Sequence, residues 1–299
     1  MINEQFKILI ISGATASGKS ALALKIAAQK NGVIINADAM QLYCELPILS
    51  AQPSAEDLKL APHFLYSTLK HNQNSSVAVW LNLVVKQINK ALENGQLPIV
   101  VGGTGLYISK LIDGINKIPE IDKNLKIDIR QTLENSGKNE LIKMLIDLGE
   151  NYEEIVGLDK QRLSRRLEVL KQTGKNLSWW QIQPKHIFYP EKYFWHINIE
   201  LPREKLYKNC NQRLDFMFKS GAVEEVSKLL AQNPAEDSGI FKTIGFLEIK
   251  NYLQGNVDQK QVIEIAAQKT RNYAKRQLTW FRNQFKNKIV IADGLDFNF

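Results

Sequence analysis

Three near-continuous apolar runs set the frame of the chain: Ile8–Ile11, Gly32–Ile35 and Leu97–Val101. Runs of this length without polar alternation mark strands covered on both faces, as in a parallel sheet. Phe194–Ile199 returns to strand later in the chain. Between these runs the period changes. Ala21–Ala27 reads as a helix, and Val77, Leu81, Val84, Ile88 and Leu92 share a helical face that Asn94-Gly95 ends. Pro202 starts a helical stretch through Met217 with Gly221 as its stop, and Gly239–Phe246 is a loop entering a helix to Leu253. The longest pattern, roughly Gln261 to Phe285, puts Ile263, Ala267, Thr270, Ala274, Leu278, Phe281 and Phe285 on one stripe. Strands alternating with helices predict an α/β fold with a parallel sheet flanked by helices.

The middle of the chain breaks that alternation. From Ile115 to about Pro184 several helical segments follow one another without a buried strand. One of them, Lys160–Leu170, is capped by Asp159, closed by Thr173-Gly174, and striped by Leu163, Leu167 and Leu170. The expected organisation is a core made of 1–115 and 185–299 with a helical insertion over 116–184. Before it, Ala51–Gln73 is turn-rich, and Ser54-Ala55-Glu56-Asp57 opens a short helix with its acids in the first turn.

Composition changes this picture little. The chain has 299 residues, 44% hydrophobic and 23% charged, as in ordinary globular proteins. No apolar run approaches the roughly 20 residues that span a bilayer. Met1–Lys7 runs into the first strand without a recognisable export signal, so a cytoplasmic location away from membranes is expected. Cys44 and Cys210 are distant and lack Cys or His neighbours, which argues against a disulfide framework or a zinc site. The net charge of +8 favours a polyanionic partner, and the position of that charge has to decide.

Candidate chemistry gathers at the strand ends. Gly13-Ala14-Thr15-Ala16-Ser17-Gly18-Lys19-Ser20 joins the first strand to the first helix, the context in which a P-loop pattern carries meaning. Such a loop wraps backbone N–H groups around an anion, and the helix aims its positive end at the same point. Lys19 is placed to neutralise terminal phosphate oxygens, and the Ser20 hydroxyl to hold Mg²⁺. The second strand ends at Asn36-Ala37-Asp38. An aspartate there caps a turn, or acts as a base or metal ligand; beside a P-loop the chemical role is favoured. The third runs into Gly102-Gly103-Thr104-Gly105-Leu106-Tyr107, where glycine lets backbone approach another molecule closely. In a parallel sheet all three ends share one edge and form one site.

The last helix brings in the charge. Arg271, Lys275 and Arg282 flank its apolar stripe, while Lys269, Tyr273, Arg276 and Trp280 cluster near the opposite side. Cations interleaved with aromatics suit a nucleic acid with exposed bases. Arg162, Arg165 and Arg166 make a second basic face, one that solvent suits equally well.

Together with Asn36–Tyr43, Val101–Tyr107, Asp159-Lys160-Gln161-Arg162 and Arg271–Arg282, in this order, the P-loop makes the chain resemble the bacterial tRNA dimethylallyltransferases, also called tRNA isopentenyltransferases. The likeness runs from the P-loop nearly to the C-terminus, and the last segment is its most specific part. It implies a P-loop NTPase-like core and a helical insertion gripping the anticodon stem-loop of tRNA. It implies transfer of a dimethylallyl group from dimethylallyl diphosphate to N6 of the adenosine 3′ of the anticodon, with Mg²⁺ and release of diphosphate. By matching position, Asp38 is the general base, Thr104 contacts the target nucleotide, and Lys19 with the rest of Thr15–Ser20 holds the diphosphate. Lys126 falls where the family places a basic tRNA contact. The implied tRNA surface comprises Asp38, Ala39, Met40 and Gln41; Gln161, Arg162, Leu163, Ser164 and Arg165; Lys242, Thr243, Ile244, Gly245, Phe246 and Leu247; and Lys275, Arg276, Gln277, Leu278, Thr279, Trp280, Phe281 and Arg282.

Several positions depart from the family pattern. Ala14 stands where proline is usual, Ser20 where threonine is usual, and Ala39 where serine is common. The stretch 240–246 matches more loosely, and the cysteines and histidines of zinc-bearing relatives are absent. The P-loop and sheet also suit a small-molecule or nucleotide kinase, which leaves the basic Trp-bearing helix without a task. A non-catalytic RNA-binding protein would tolerate the loss of Lys19. No apolar stripe demands a partner chain, so a monomer is expected.

Overall fold

The computed structural model describes residues 7–235 and 238–292. The expected leaderless start at Met1–Phe6 lies outside the described residues. The chain divides into two compact units, 1–113 with 188–299, and 114–187.

In the larger unit β1 (Ile8–Gly13) leads through the glycine loop into α1 (Lys19–Gln29), and β2 (Gly32–Asn36) follows. Then come α2 (Ala55–Leu60), β3 (His63–Phe64), α3 (Val77–Glu93), β4 (Leu97–Gly102) and α4 (Gly105–Asp113). Glu56 and Asp57 lie in the first turn of α2 as expected, and Ser54 and Asp57 in addition form a reciprocal capping box there. The smaller unit holds β5 (Ile115–Asn116), α5 (Lys123–Asp147), α6 (Tyr152–Ile155), α7 (Lys160–Thr173), α8 (Leu177–Gln181) and β6 (Lys185–His186). The chain then continues with β7 (Phe194–Ile199), α9 (Arg203–Lys219), α10 (Ala222–Leu230), α11 (Phe246–Leu253), α12 (Gln259–Gln284) and β8 (Ile289–Ile291).

The sheet order is β3-β2-β4-β1-β7-β8, and every pairing is parallel. The apolar runs are explained by this position. Leu9, Ile11, Ile34, Ile99 and Ile197 pack with Leu22 and Ile26 of α1 and Leu206 and Cys210 of α9. The alternate positions Ile8, Ile10, Ile35 and Val100 are fully buried as well, so both faces are covered. The parallel arrangement brings the carboxyl ends of β1, β2 and β4 to one edge.

The smaller unit has its own core of Ile129, Leu141, Leu145, Ile155, Leu163 and Leu167. Its long helix α5 breaks at Gly137, where φ is 77° and ψ −173°. β5 and β6 pair antiparallel. In α7 the third buried position is Val169 rather than Leu170.

Two other expectations shift. Gly221, with φ of 104°, starts α10 rather than merely stopping α9. In α12 the buried residues are Val262, Ala266, Ala267, Ala274, Gln277 and Phe281, so Ile263, Thr270 and Leu278 lie at the margin. That helix packs on α9 and α11 and also on β1 and α4, which widens and turns its covered face.

Candidate active site

The loop after β1 has a constrained backbone. Gly13 has φ of +151°, and a Cβ there would stand 2.7 Å from the Ile199 carbonyl oxygen. Gly18 has open space around it, but its φ of +89° reserves the position for glycine. The first turn of α1 carries no acidic residue, which keeps its positive end available to an anion. Lys19 Nζ donates to the Ala14 carbonyl at 2.6 Å. Burial lowers the Lys19 pKa to about 8, with Asp38 opposing that shift and Arg213 adding to it.

Asp38 follows β2 in a turn that its neighbours fix. Its backbone N–H donates to Asn36 Oδ1 at 2.7 Å, and its Oδ1 accepts from the Met40 N–H at 3.0 Å. Asn36 is fully buried, with its Nδ2 donating to the carbonyls of Asp38 and Leu65. The Thr104 hydroxyl accepts from the Ala39 N–H at 3.0 Å. Asp38 and Thr104, distant in sequence, therefore belong to one hydrogen-bonded corner.

Both residues line a cavity of about 350 Å³ with Thr15, Met40, Leu49, Arg213, Met217 and Tyr273, among others. Arg213 is the residue that sequence reasoning missed. Its Nη1 donates to Thr15 Oγ1 at 3.0 Å, and its Nη2 reaches the Ser50 carbonyl at 3.4 Å. Its pKa is lowered by burial, against the pull of Asp38. The available signal was an arginine set within the apolar spacing Leu206, Cys210, Leu214 and Met217 of α9. Leu49, Leu214, Met217 and Ile244 add apolar walls. Glu225 holds the Leu49 wall by accepting from the N–H groups of Ile48 at 2.6 Å and Leu49 at 3.0 Å. One end of this cavity can hold an anion, and its walls can hold a short hydrocarbon.

The remaining expected site residues separate into distinct places. Ser20 is exposed and borders a smaller cavity of about 90 Å³ with Gln41, Gln52 and Asp57. The side chain of Gln41 is engaged internally, donating to the carbonyls of Ser50 at 3.0 Å and Ala51 at 2.7 Å. Lys242 and Leu247 are exposed, whereas Thr243, Gly245 and Phe246 are buried. Ile244 lines the cavity of Asp38 and Thr104. On α12, Lys275, Arg276, Thr279, Trp280 and Arg282 face outward, while Phe281 sits in the core and Leu278 packs against it. Gln277 is 5% exposed. It is a corrected surface expectation, because both ends of its amide bond to the interior. Within the smaller unit Lys126, Gln161 and Arg162 are exposed, Ser164 and Arg165 are half-buried, and Leu163 is fully buried in that unit's core. Arg166 of the second basic face is tied to Glu150 at 2.7 Å and Glu154 at 3.4 Å.

An all-parallel sheet whose glycine loop, half-buried cations and carboxylate meet at one edge defines a P-loop-type α/β protein. Residues 41–284 match the family model of the IPP transferases. The chain belongs to that family. It is 40% identical over 298 residues to a tRNA dimethylallyltransferase of Zymomonas mobilis, covering 98% of this chain and 94% of that one. It is 39% identical over 290 residues to one from Rickettsia massiliae, covering 97% and 80%. Among solved structures, the full-length tRNA isopentenylpyrophosphate transferase of Bacillus halodurans superposes with a TM-score of 0.70 at 30% identity, covering 98% and 91%. A eukaryotic dimethylallyltransferase captured acting on tRNA superposes with a TM-score of 0.77 at 27% identity, covering 97% and 74%.

Proposed function

We infer that the protein transfers a dimethylallyl group from dimethylallyl diphosphate to N6 of the adenosine 3′ of the anticodon in tRNA. The observation that carries this is the composition of the cavity lined by Asp38 and Thr104. Thr15 and Arg213 offer an anion site, Leu214 and Met217 an apolar wall, and Asp38 and Thr104 a polar corner. A kinase leaves the outward Arg276 and Trp280 of α12 without a task.

In the proposed reaction the adenine N6 attacks C1 of the dimethylallyl group as the C1–O bond to diphosphate breaks. The electron pair of that bond leaves with the diphosphate. The N6 proton passes to the carboxylate of Asp38, whose Oδ1 is oriented by the Met40 N–H. Arg213, Lys19 and the loop amides stabilise the charge that develops on the leaving group. Thr104 and Tyr273 border the place where the adenine enters, after it leaves the base stack of the RNA loop. The outward cations of α12, with Lys126, Gln161 and Arg162 on the insertion, would meet the RNA backbone.

The donor set fits Mg²⁺. Among the described residues no cluster of three or more His, Cys, Asp or Glu could hold a metal by itself. Mg²⁺ instead suits one hard protein oxygen, here Ser20 Oγ, combined with substrate phosphate oxygens and water. When bound it would neutralise part of the diphosphate charge. Among the described residues no helix is long and apolar enough to cross a membrane. As part of the proposed reading the activity is placed in the cytoplasm and in a monomer.

The test is one incubation of protein, unmodified tRNA, Mg²⁺ and labelled dimethylallyl diphosphate, with labelled ATP in a parallel tube. Label reaching tRNA from the prenyl donor alone supports the reading. Phosphate transfer from ATP, or no label on RNA, removes it.

A further inference from the structure

Gln277 occupies an unusual position for a residue on a helix with a cationic outer face. Its Oε1 accepts from the Thr15 N–H at 2.8 Å, and its Nε2 donates to the Gly103 carbonyl at 2.8 Å. The orientation of the amide is dictated by its partners, since a flip would set donor against donor and acceptor against acceptor. Gly103 has no room for a side chain there: a Cβ would stand 2.2 Å from Gln277 Nε2. Thr15 is thereby held twice, its N–H by Gln277 from α12 and its hydroxyl by Arg213 from α9. A P-loop ordinarily turns its amides toward the phosphate. Here the amide of the cavity-lining Thr15 is committed to α12 instead.

The neighbours of Gln277 extend the connection outward. One turn before it, Tyr273 lines the cavity and interacts with the side chains of Gln277 and Thr104. Adjacent to it, Arg276 lies over the Tyr273 ring at 5.7 Å and is exposed on its outer side. A displacement of α12 along its axis or about it would therefore move the Thr15 amide and the Gly103 carbonyl together.

We propose that Gln277 is a positioning residue that couples the RNA-facing helix α12 to the diphosphate-binding loop, so that RNA on α12 changes the affinity of the loop for diphosphate. This rests on the reading of α12 as the RNA-facing helix. By linkage the effect is reciprocal: diphosphate changes RNA affinity by the same factor.

The experiment titrates the full chain with inorganic diphosphate, with and without an unmodified anticodon stem-loop RNA, for the native protein and for Gln277→Met. In the native protein the RNA shifts diphosphate affinity by about fivefold or more, the lower range of ordinary coupling. In Gln277→Met that ratio falls to near one, while RNA affinity in the absence of diphosphate stays within about twofold because the outer cations are untouched. The variant also raises the KM for dimethylallyl diphosphate more than it lowers kcat. Coupling that survives in Gln277→Met, or a native ratio of one, overturns the proposal. Should Gln277→Met not fold, amide exchange over residues 13–18 of the native protein decides. RNA must change protection at Thr15, and unchanged exchange overturns the coupling. A native protein that binds no stem-loop RNA at all overturns this inference and the proposed function together. RNA and diphosphate binding independently overturns this inference alone.

Discussion

Gly105 and the indole of Trp280 are in direct apposition: a Cβ built on the glycine would stand 2.1 Å from Cδ1 and Nε1 of the ring. The glycine-rich turn after β4 is thus approached by the protein's own helix α12. Gly102 is approached as closely from the β2 side, with a would-be Cβ 2.2 Å from the Ala37 carbonyl group. Gly105→Ala forces Trp280 out of its seat while the P-loop keeps its contacts. Stacking of one base on an aromatic ring contributes about 1–3 kcal/mol, so the variant should bind stem-loop RNA roughly tenfold more weakly. Affinity for inorganic diphosphate should not change. Paired titrations check this, and equal RNA affinity in both proteins would show that Trp280 is only a packing residue.

Arg213 supplies a half-buried positive charge to the cavity, donating to Thr15 Oγ1 and reaching the Ser50 carbonyl. Hydrogen bonds to charged groups contribute about 1.5–3 kcal/mol. Arg213→Gln should therefore lower kcat/KM for dimethylallyl diphosphate by roughly 10- to 150-fold, from that same range. Because Arg213 is on α9 and not on the outer face of α12, RNA affinity should hold. A steady-state comparison with filter binding of the RNA separates the two effects.

What the sequence made legible follows the range of the interactions involved. β1, β2 and β4 are central strands, so their burial on both faces left unbroken apolar runs. The P-loop is a local device, complete in consecutive residues. Asp38 and Thr104 could be placed because parallel topology alone brings their strand ends together. The rest depends on partners remote in sequence. Arg213 reads as a helical surface cation until α9 is laid against Thr15. Gln277 falls in a polar run and is buried only because Gly103 and Thr15 receive its amide. The edge strands β3 and β8 are two and three residues long, too short for any period to register. Leu163, Phe246 and Phe281 sit inside motif segments whose exposed members include Arg162, Lys242 and Arg282, and their side chains instead build cores.

Lys19 should impose a pH dependence on the free protein. Its pKa falls from an unfolded value of about 10.4 to about 8 in the fold, because burial disfavours the ammonium. Between those values the unfolded chain binds more protons, so stability rises with pH through this window. Below pH 8 the penalty is present in full, and near the unfolded pKa it has gone. Lys19→Met should accordingly be more stable than the native protein at pH 7, by about 1–2 kcal/mol after allowance for solvent access. That advantage should vanish near the unfolded pKa, about 10.4. The same variant should lose diphosphate binding. Chemical denaturation across this range checks the sign, and a destabilised Lys19→Met at pH 7 would contradict it.

Asp38 offers the sharpest separation of chemistry from binding. Asp38→Asn keeps an oxygen able to accept from the Met40 N–H, so the corner built by Asn36, Ala39 and Thr104 should survive. What it loses is the capacity to take up a proton from an aromatic amine. General-base catalysis contributes about 10²–10⁴-fold, and the single-turnover rate of prenyl transfer should fall by that order. RNA affinity should stay within a few-fold, since the cations on α12 are unchanged. Raising the pH should not rescue the variant, because the amide has no titration in the accessible range. A near-native single-turnover rate in Asp38→Asn would leave the N6 proton to water and would remove Asp38 from the reaction, while leaving Arg213 and the P-loop in their roles.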